Sequence, residues 1–424
     1  MHALFITQYF HPEVGATQTR IREFAKGFRQ QGHRVTVLTE VPNHPRGVIA
    51  ADYRGRWMSR EVLDDFDVVR VWVWTTPQKT VLTRLGFYGS FFMMATIAGL
   101  TISKPIDVVF ATSPPLSVGL IGWLIARLRR ARFVLDVRDL WPAVVEALGA
   151  VRQPAGLRLM RVLERFLYRH ADRITAVTQG FVRHIRPHVL DPARLMWLPN
   201  GAAADVFDPA LSDDTLRARL SLDRHFVVTF AGLHGLAQGL DTALAAAARL
   251  ADQPSIVFLL IGDGPAKPAL LSDAARRGLR NVRFLDTVPT SEITPYLVAS
   301  DVLLVPLRPH PVFQSFVPSK LYDFLACARP VLLAVDGEAR DILEASAGGV
   351  FCPPGDDRQM ARAILELSRM PADERARMGQ RGRAYVLAHY TRAAQAARLL
   401  EFLSAGATTV AARPPSRRAA ARSG

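Results

Sequence analysis

Cysteine is almost missing from this chain of 424 residues: Cys327 and Cys352 are the only two, and neither sits in a CxxC or Cys/His cluster. A disulfide framework and a zinc module are therefore excluded. Lysine is nearly as scarce, occurring only at 26, 79, 104, 267 and 320, so the excess of 53 basic over 38 acidic residues is almost all arginine. His11, His33 and His44 form neither HxH nor HExxH, and no metal site is expected. There is no helix-turn-helix, finger, KH or RRM signature, and the arginines are dispersed rather than gathered on one short element, which argues against a dedicated nucleic-acid binder. The opening residues lack a basic n-region and turn polar at Gln8 and His11, too soon for a signal peptide. A reducing, cytoplasmic location is expected.

What is present is 49% apolar residues, ample for real cores, and a net charge of +15 that draws the protein toward phosphate-bearing partners or an anionic membrane face. Short β-branched runs alternate with helical periodicity. Leu4 to Thr7, a helix from about Gln18 to Gln31, a stop at Gly32 and His33, and a strand from Arg34 to Thr39 form a βαβ unit. Further strands are expected at Val68 to Val73, Val108 to Ala111, Phe133 to Val137 and Ile174 to Val177. The pattern then restarts with Val227 to Ala231, Val257 to Ile261, Val282 to Phe284, Val302 to Val305 and Val331 to Ala334. This predicts an α/β protein of two doubly wound, Rossmann-like units, residues 1–202 and 203–387, facing across a cleft. A C-terminal helix, about 388–405, is expected to return to the first unit, and 409–424 reads as a flexible basic tail.

Leu85 to Ser103 has no charged residue and lies between Arg84 and Lys104. An interfacial helix, a buried core helix and a membrane span are all open readings, although a span would tear apart a unit whose flanking strands share a sheet. Leu116 to Ala126 runs into Arg127, Arg129, Arg130 and Arg132, which suits either anionic lipid or a solvated helix end.

Chemistry is expected beyond the carboxyl ends of the strands. Gly262-Asp263-Gly264 is a tight turn that either lets a base or ribose approach the backbone or is an ordinary βα turn. In Val317 to Pro330 a helix opens near Ser319, a plausible N-cap. Its free N–H groups and Lys320 would face an anion, while Asp323, one turn on, would accept hydrogen bonds from a ribose diol. That arrangement suits a nucleoside diphosphate. Arg138 and Asp139 follow the strand ending at Val137; Asp139 would orient an acceptor hydroxyl, bind the donor sugar, or merely cap a helix or pair with Arg138. Glu13 is a further candidate, or simply exposed.

Taken in order, these segments resemble the retaining glycosyltransferases of family 4, also called group 1, which have the GT-B fold. The resemblance covers roughly residues 1–405. It rests on Gln8-Tyr9-Phe10-His11-Pro12-Glu13 with Gly15, Gly32 to Val37, Asp136 to Pro142, Pro199-Asn200-Gly201 with Phe207, Gly232 to Gly239, Gly262 to Gly264 and Pro318 to Pro330. Arg138 to Pro142, Gly235 to Leu240 and Pro318 to Tyr322 look most like bacterial N-acetylfucosaminyltransferases of O-antigen or capsule assembly. The resemblance implies a metal-independent, retaining hexosyltransferase with no cofactor beyond its donor. It would move a sugar, N-acetylated and UDP-linked, to a polyprenyl-diphosphate-linked saccharide acceptor, and the protein would lie peripherally on the inner face of the cytoplasmic membrane. The donor would meet Gly15, Gly232, His234, Gln238, Gly262, Asp263 and Gly264 together with Pro318, Ser319, Lys320, Leu321 and Asp323. Asp139, Arg138, Lys320 and Glu13 would stand nearest the reaction.

Two departures matter. The paired acids of the family's EX7E motif fall at Ser315 and Asp323, and the usual diphosphate-gripping Arg and Lys fall at Leu233 and Gln238. Lys320, the helix start, the Gly15 loop and His234 are the available replacements. A UDP-sugar epimerase on the same fold and a catalytically inactive membrane-associated scaffold are the rival expectations.

Overall fold

Runs such as Phe226–Ala231 and Ile256–Ile261 have no polar face, and every residue in them is buried. Parallel strands between two helical layers require that. The computed structural model describes residues 1–405 apart from 14, 45, 46, 79, 148 and 150–152; the expected tail at 409–424 lies outside the described residues.

The first sheet contains β1 (His2–Ile6), β2 (Arg34–Glu40), β3 (Met58–Leu63), β4 (Phe66–Val71), β5 (Val108–Ser113), β6 (Arg132–Val137), β7 (Arg173–Ala176) and β8 (Leu195–Trp197), in the order β3-β4-β2-β1-β5-β6-β7-β8. All pairs are parallel except β3 with β4. The second sheet contains β9 (Phe226–Ala231), β10 (Ile256–Ile261), β11 (Val282–Leu285), β12 (Val302–Pro306), β13 (Val331–Ala334) and β14 (Gly349–Phe351), ordered β11-β10-β9-β12-β13-β14 and parallel throughout. Both sheets reverse their winding beside the first strand of the unit, so a crevice opens at the carboxyl ends of β1 and β5 in one lobe and of β9 and β12 in the other.

One face of the first sheet packs on helices Val81–Leu100, Leu116–Arg129 and Pro154–His170, through Phe91, Ile121 and Leu167 among others. The opposite face packs on helix Ala16–Gln30 and on the last described helix, Arg392–Ser404, through Phe24, Phe28 and Leu399. The apolar stretch at 85–103 is therefore one helix layer of the first lobe. Its Phe91, Ala95 and Ala98 are buried, while Leu85 and Met93 are 66% and 55% exposed. Among the described residues no helix is long and apolar enough to cross a membrane.

The chain passes between lobes twice, and the two passages touch. Ala202 donates to Tyr390 O at 2.7 Å and accepts from Arg392 N at 3.1 Å. A Cβ on Gly201 would stand 2.8 Å from the Tyr390 carbonyl oxygen and the Arg392 nitrogen, so only glycine fits. Arg20, 6% exposed, fastens the first passage: its Nε and Nη2 reach the buried Asp136 carboxylate at 3.1 and 3.0 Å, and its other bonds go to the Leu198 and Pro199 carbonyls at 2.9 and 3.0 Å and to Asn200 Oδ1 at 3.3 Å. Beyond the second passage, a Cβ on Gly27 would come within 2.7 Å of Ala396 Cβ, which sets how closely helix Arg392–Ser404 lies on helix Ala16–Gln30.

Replacing Arg20 by Ala leaves the buried Asp136 carboxylate with only the Thr175 hydroxyl and two carbonyls without their donor. It should cost about 3–5 kcal/mol, read as a fall in the urea midpoint of unfolding.

Candidate functional site

In the second lobe the site starts from the turns after β9 and β10. Gly232 and Gly262 have φ of 135° and 137°, a region that favours glycine. Their missing side chains are used mainly by protein: a Cβ on Gly262 would lie 2.0 Å from the Gly232 carbonyl oxygen, and one on Gly264 2.6 Å from that of His234. At Gly262 and Gly264 the absence of a Cβ lets the turn after β10 pack on the turn after β9, as an ordinary βα turn would. Asp263 is exposed and accepts from Gly264 N at 2.7 Å.

A Cβ on Gly232 would instead stand 3.0 Å from Lys320 Nζ. That ammonium lies 3.7 Å from the centroid of the Phe230 ring and donates to Gln238 Oε1 at 3.2 Å. Among the described residues it has no carboxylate partner. Lys320 is half-buried by exposed surface but closely ringed by protein atoms, and this desolvation pulls its pKa down to about 7. Helix Ser319–Ala326 begins beside it. Pro318, not Ser319, is the N-cap, and no side chain caps the helix. The Ser319 and Lys320 amides point out of the first turn without acceptors, as a helix start that receives an anion requires. Leu321, on the same turn, is fully buried and anchors the helix in the core.

Two expected donor contacts do not stand free. Asp323 is buried, and Arg392 Nη2 donates to its two oxygens at 2.8 and 3.0 Å. Burial lifts its pKa to about 6 despite that arginine. It braces the interlobe crossing rather than awaiting a ribose. His234 is fully buried under the β10 turn, its ring beside the Ile261 backbone. Desolvation, with Lys267 close by, drops its pKa to about 4, so the ring is neutral and no cationic donor to phosphate.

In the first lobe the loop after β1 ends at Gly15, whose extended φ of 171° precedes helix Ala16–Gln30, again uncapped by a side chain. Arg138, just past β6, donates from Nη1 to Thr17 Oγ1 in the first turn of that helix, and its Nε has no partner. Enclosure depresses its pKa. Asp139 has no hydrogen-bonded side-chain partner. Desolvation raises its pKa to about 6 against the pull of Arg138. Glu13 is only partly available, because its Oε1 accepts from Asn43 N at 2.7 Å and His44 N at 2.6 Å and so ties the β1 loop to the β2 loop.

The lobes meet around these groups. Glu338 of the second lobe accepts from the Gln179 and Gly180 amides of the first, each at 3.0 Å, and Phe181 packs on Phe316 at 5.0 Å between centroids. Ser315 sits against Gly180; a Cβ on Gly180 would fall 2.7 Å from that of Ser315. Helix Ser319–Ala326 starts three residues beyond this contact, with its Tyr322 in the fields of Glu338 and Arg20. Its amino end is therefore at the lobe boundary. Among the described residues no group of three or more His, Cys, Asp or Glu could hold a metal ion. Sequence reasoning missed Arg20, Arg392, Gly180 and Glu338, whose partners are all remote in the chain.

Profiles of two families match: the glycosyl transferase 4-like domain over residues 15–201 and glycosyl transferases group 1 over residues 224–370. The chain is 25% identical over 353 residues to a protein of Escherichia coli (strain K12) described as a colanic acid biosynthesis glycosyl transferase, WcaI, covering 81% of this chain and 86% of that one. It is 28% identical over 265 residues to the glycosyltransferase WbjE of Pseudomonas aeruginosa, covering 62% and 66%. The crystal structure of Anabaena HepE in complex with UDP-glucose superimposes with a TM-score of 0.71 at 17% identity, over 96% of this chain and all of the other.

In 13C-lysine NMR spectra, one of the five lysine Cε signals should titrate with a midpoint near 7 and vanish in Lys320→Met. Titration of every lysine above about pH 9 would contradict the isolated ammonium.

Proposed function

Because the chain belongs to the group 1 glycosyltransferases of GT-B fold, we propose that it moves a sugar from a UDP-linked donor to a lipid-linked saccharide during surface polysaccharide synthesis. The observation that carries this is Lys320, an ammonium without an acid beside the open start of helix Ser319–Ala326 at the lobe boundary. A diphosphate supplies the missing anion. UDP as the carrier draws support from the HepE complex, and polysaccharide as the product from WcaI. An N-acetylated sugar is the donor group that the motif resemblance favours.

As the anomeric C–O bond breaks, its electron pair passes to the leaving phosphate oxygen. The Ser319 and Lys320 amides and the Lys320 ammonium stabilise that charge with donors already in place. Arg138 and the uncapped start of helix Ala16–Gln30 supply positive potential from the other lobe. The acceptor hydroxyl adds to the same face of the sugar, retaining configuration, and its proton goes to the leaving phosphate. Asp139, mostly ionised at pH 7 with a pKa of about 6, accepts the hydrogen bond that orients this hydroxyl. No covalent intermediate and no metal ion is needed.

The lipid-linked acceptor, a polyprenyl-diphosphate saccharide, fits a first lobe whose helix Val81–Leu100 leaves Leu82, Leu85, Met93 and Ile97 more than half exposed. We place the enzyme on the inner face of the cytoplasmic membrane.

Incubation with UDP-sugars and a polyprenyl-diphosphate sugar should give a product heavier by one glycosyl unit in mass spectra; conversion of the donor without acceptor would indicate an epimerase instead. UDP binding should recharge Lys320 and so take up a proton. Affinity should then fall as pH rises above 7, by up to about tenfold per unit, and calorimetry should show the slope lost in Lys320→Ala together with about 10–100-fold weaker binding. Asp139→Asn should lower kcat by about a hundredfold or more while the KM for donor stays nearly constant.

A further inference from the structure

The second lobe has a cavity at the end opposite the candidate site, where its central strands begin. Its volume is about 220 Å³. The walls come from the loop Ser212 to Asp214, from Val298 to Asp301 directly before β12, and from Arg329 just before β13. Helix Ser319–Ala326 starts at the lobe boundary beside Lys320 and ends three residues before Arg329, so its whole length of about 12 Å separates the two places.

The charges around this cavity are unequally satisfied. Asp301 accepts from Val227 N at 2.9 Å and from Arg217 Nη1 at 3.3 Å, with Arg375 Nη2 at 3.7 Å. Asp213 accepts from Thr215 N at 3.0 Å and Thr215 Oγ1 at 2.7 Å and pairs with Arg219 at 3.1 Å. Arg217 spends its remaining protons on the carbonyls of Ala299, Leu222 and His225. Arg329 differs from all of these. It is half-buried, and among the described residues it forms no hydrogen bond or ion pair; desolvation draws its pKa below the usual guanidinium value although Asp301 pulls the other way. Asp214, exposed, is likewise unpaired among the described residues. Arg217, Arg219, Arg329 and Arg375 stand against Asp213, Asp214 and Asp301, which leaves one positive charge.

From a free guanidinium and a free carboxylate on one cavity, we infer that the second lobe carries a separate binding site for a small hydroxylated phosphomonoester, a compound of the sugar phosphate class. Arg329 takes the phosphate, for which the planar fork of a guanidinium is well shaped. Asp214 accepts from the hydroxyl groups. The volume lies below the range of about 300–1,000 Å³ that drug-sized ligands occupy, which excludes a whole nucleotide-sugar. A zwitterionic amino acid could also span a guanidinium and a carboxylate, but it would leave the excess positive charge in place. A phosphomonoester brings about 1.5–2 negative charges at neutral pH and removes it. Nothing in this inference depends on the donor reading of Lys320.

The test is calorimetric titration of the full chain with glucose 1-phosphate, inorganic phosphate, glucose and glycine. Glucose 1-phosphate should bind more tightly than inorganic phosphate, and glucose and glycine should give no heat. Binding should persist in Lys320→Ala and in the presence of saturating UDP. Arg329→Gln should weaken both phosphates about 10–100-fold with the urea midpoint unchanged, since Arg329 supports no other group. Asp214→Asn should weaken glucose 1-phosphate and leave inorganic phosphate as tight as before or tighter. Wild-type affinity in Arg329→Gln overturns the inference, as do competition by UDP, a preference for glycine, or glucose 1-phosphate binding no better than inorganic phosphate. Failure of UDP to bind, with glucose 1-phosphate still bound through Arg329, counts against the donor reading alone.

Discussion

The structure depends on holding two lobes in register through two touching strands of chain. Arg20 binds the first passage to the buried Asp136 of the first lobe, and Arg392 binds the second to Asp323 and to Gly201 O at 2.9 Å. Removing charge from water is costly, and these ion pairs are worth forming only because each guanidinium also satisfies backbone carbonyls in the crossing. The result is a crossing fastened to both lobes. Glu338 and Phe316 add further contacts between the lobes, to helix Gln179–Ile185.

The chemistry then follows from unequal satisfaction of charge. Most buried charged groups near the crossing have partners, Asp136 and Asp323 among them. Lys320 has only an amide and an aromatic face, and Asp139 has no side-chain hydrogen bond at all. Groups left in this condition by the protein are suited to ligands that bring the complementary charge or hydrogen. Gln238 is the side chain that holds the Lys320 ammonium in position, at 3.2 Å.

Much of the fold was legible because the interior strands are apolar on both faces. The edges were not. In β3 the sequence Met-Ser-Arg-Glu-Val-Leu alternates in exposure and carries two charges, β8 has three residues, and β14 begins with glycine; none produces a sustained apolar signal. At the site, Lys320 and Asp139 were readable as charges at the ends of a strand or helix. The ion pairs were not, since Arg20 and Asp136 lie 116 positions apart and Arg392 and Asp323 lie 69 apart. For the same reason Asp323 read as a ribose ligand: nothing near it in sequence announces the arginine that occupies it. The turn after β10 was read as tight, and what crowds Gly262 and Gly264 is backbone from the turn after β9.

Helix Arg392–Ser404 comes last in the chain yet completes the core of the first lobe, pressed on Gly27. The two lobes are therefore not beads on a string. Any recombination event that trades the donor lobe for a relative's must break the gene at both passages and keep the terminal segment with its original host. A single crossover downstream of Gly201 would graft a foreign final helix onto helix Ala16–Gln30, where one extra methyl group is enough to spoil the fit. Lobe-swapped descendants of this architecture should accordingly carry a three-part mosaic, with the outer parts inherited together.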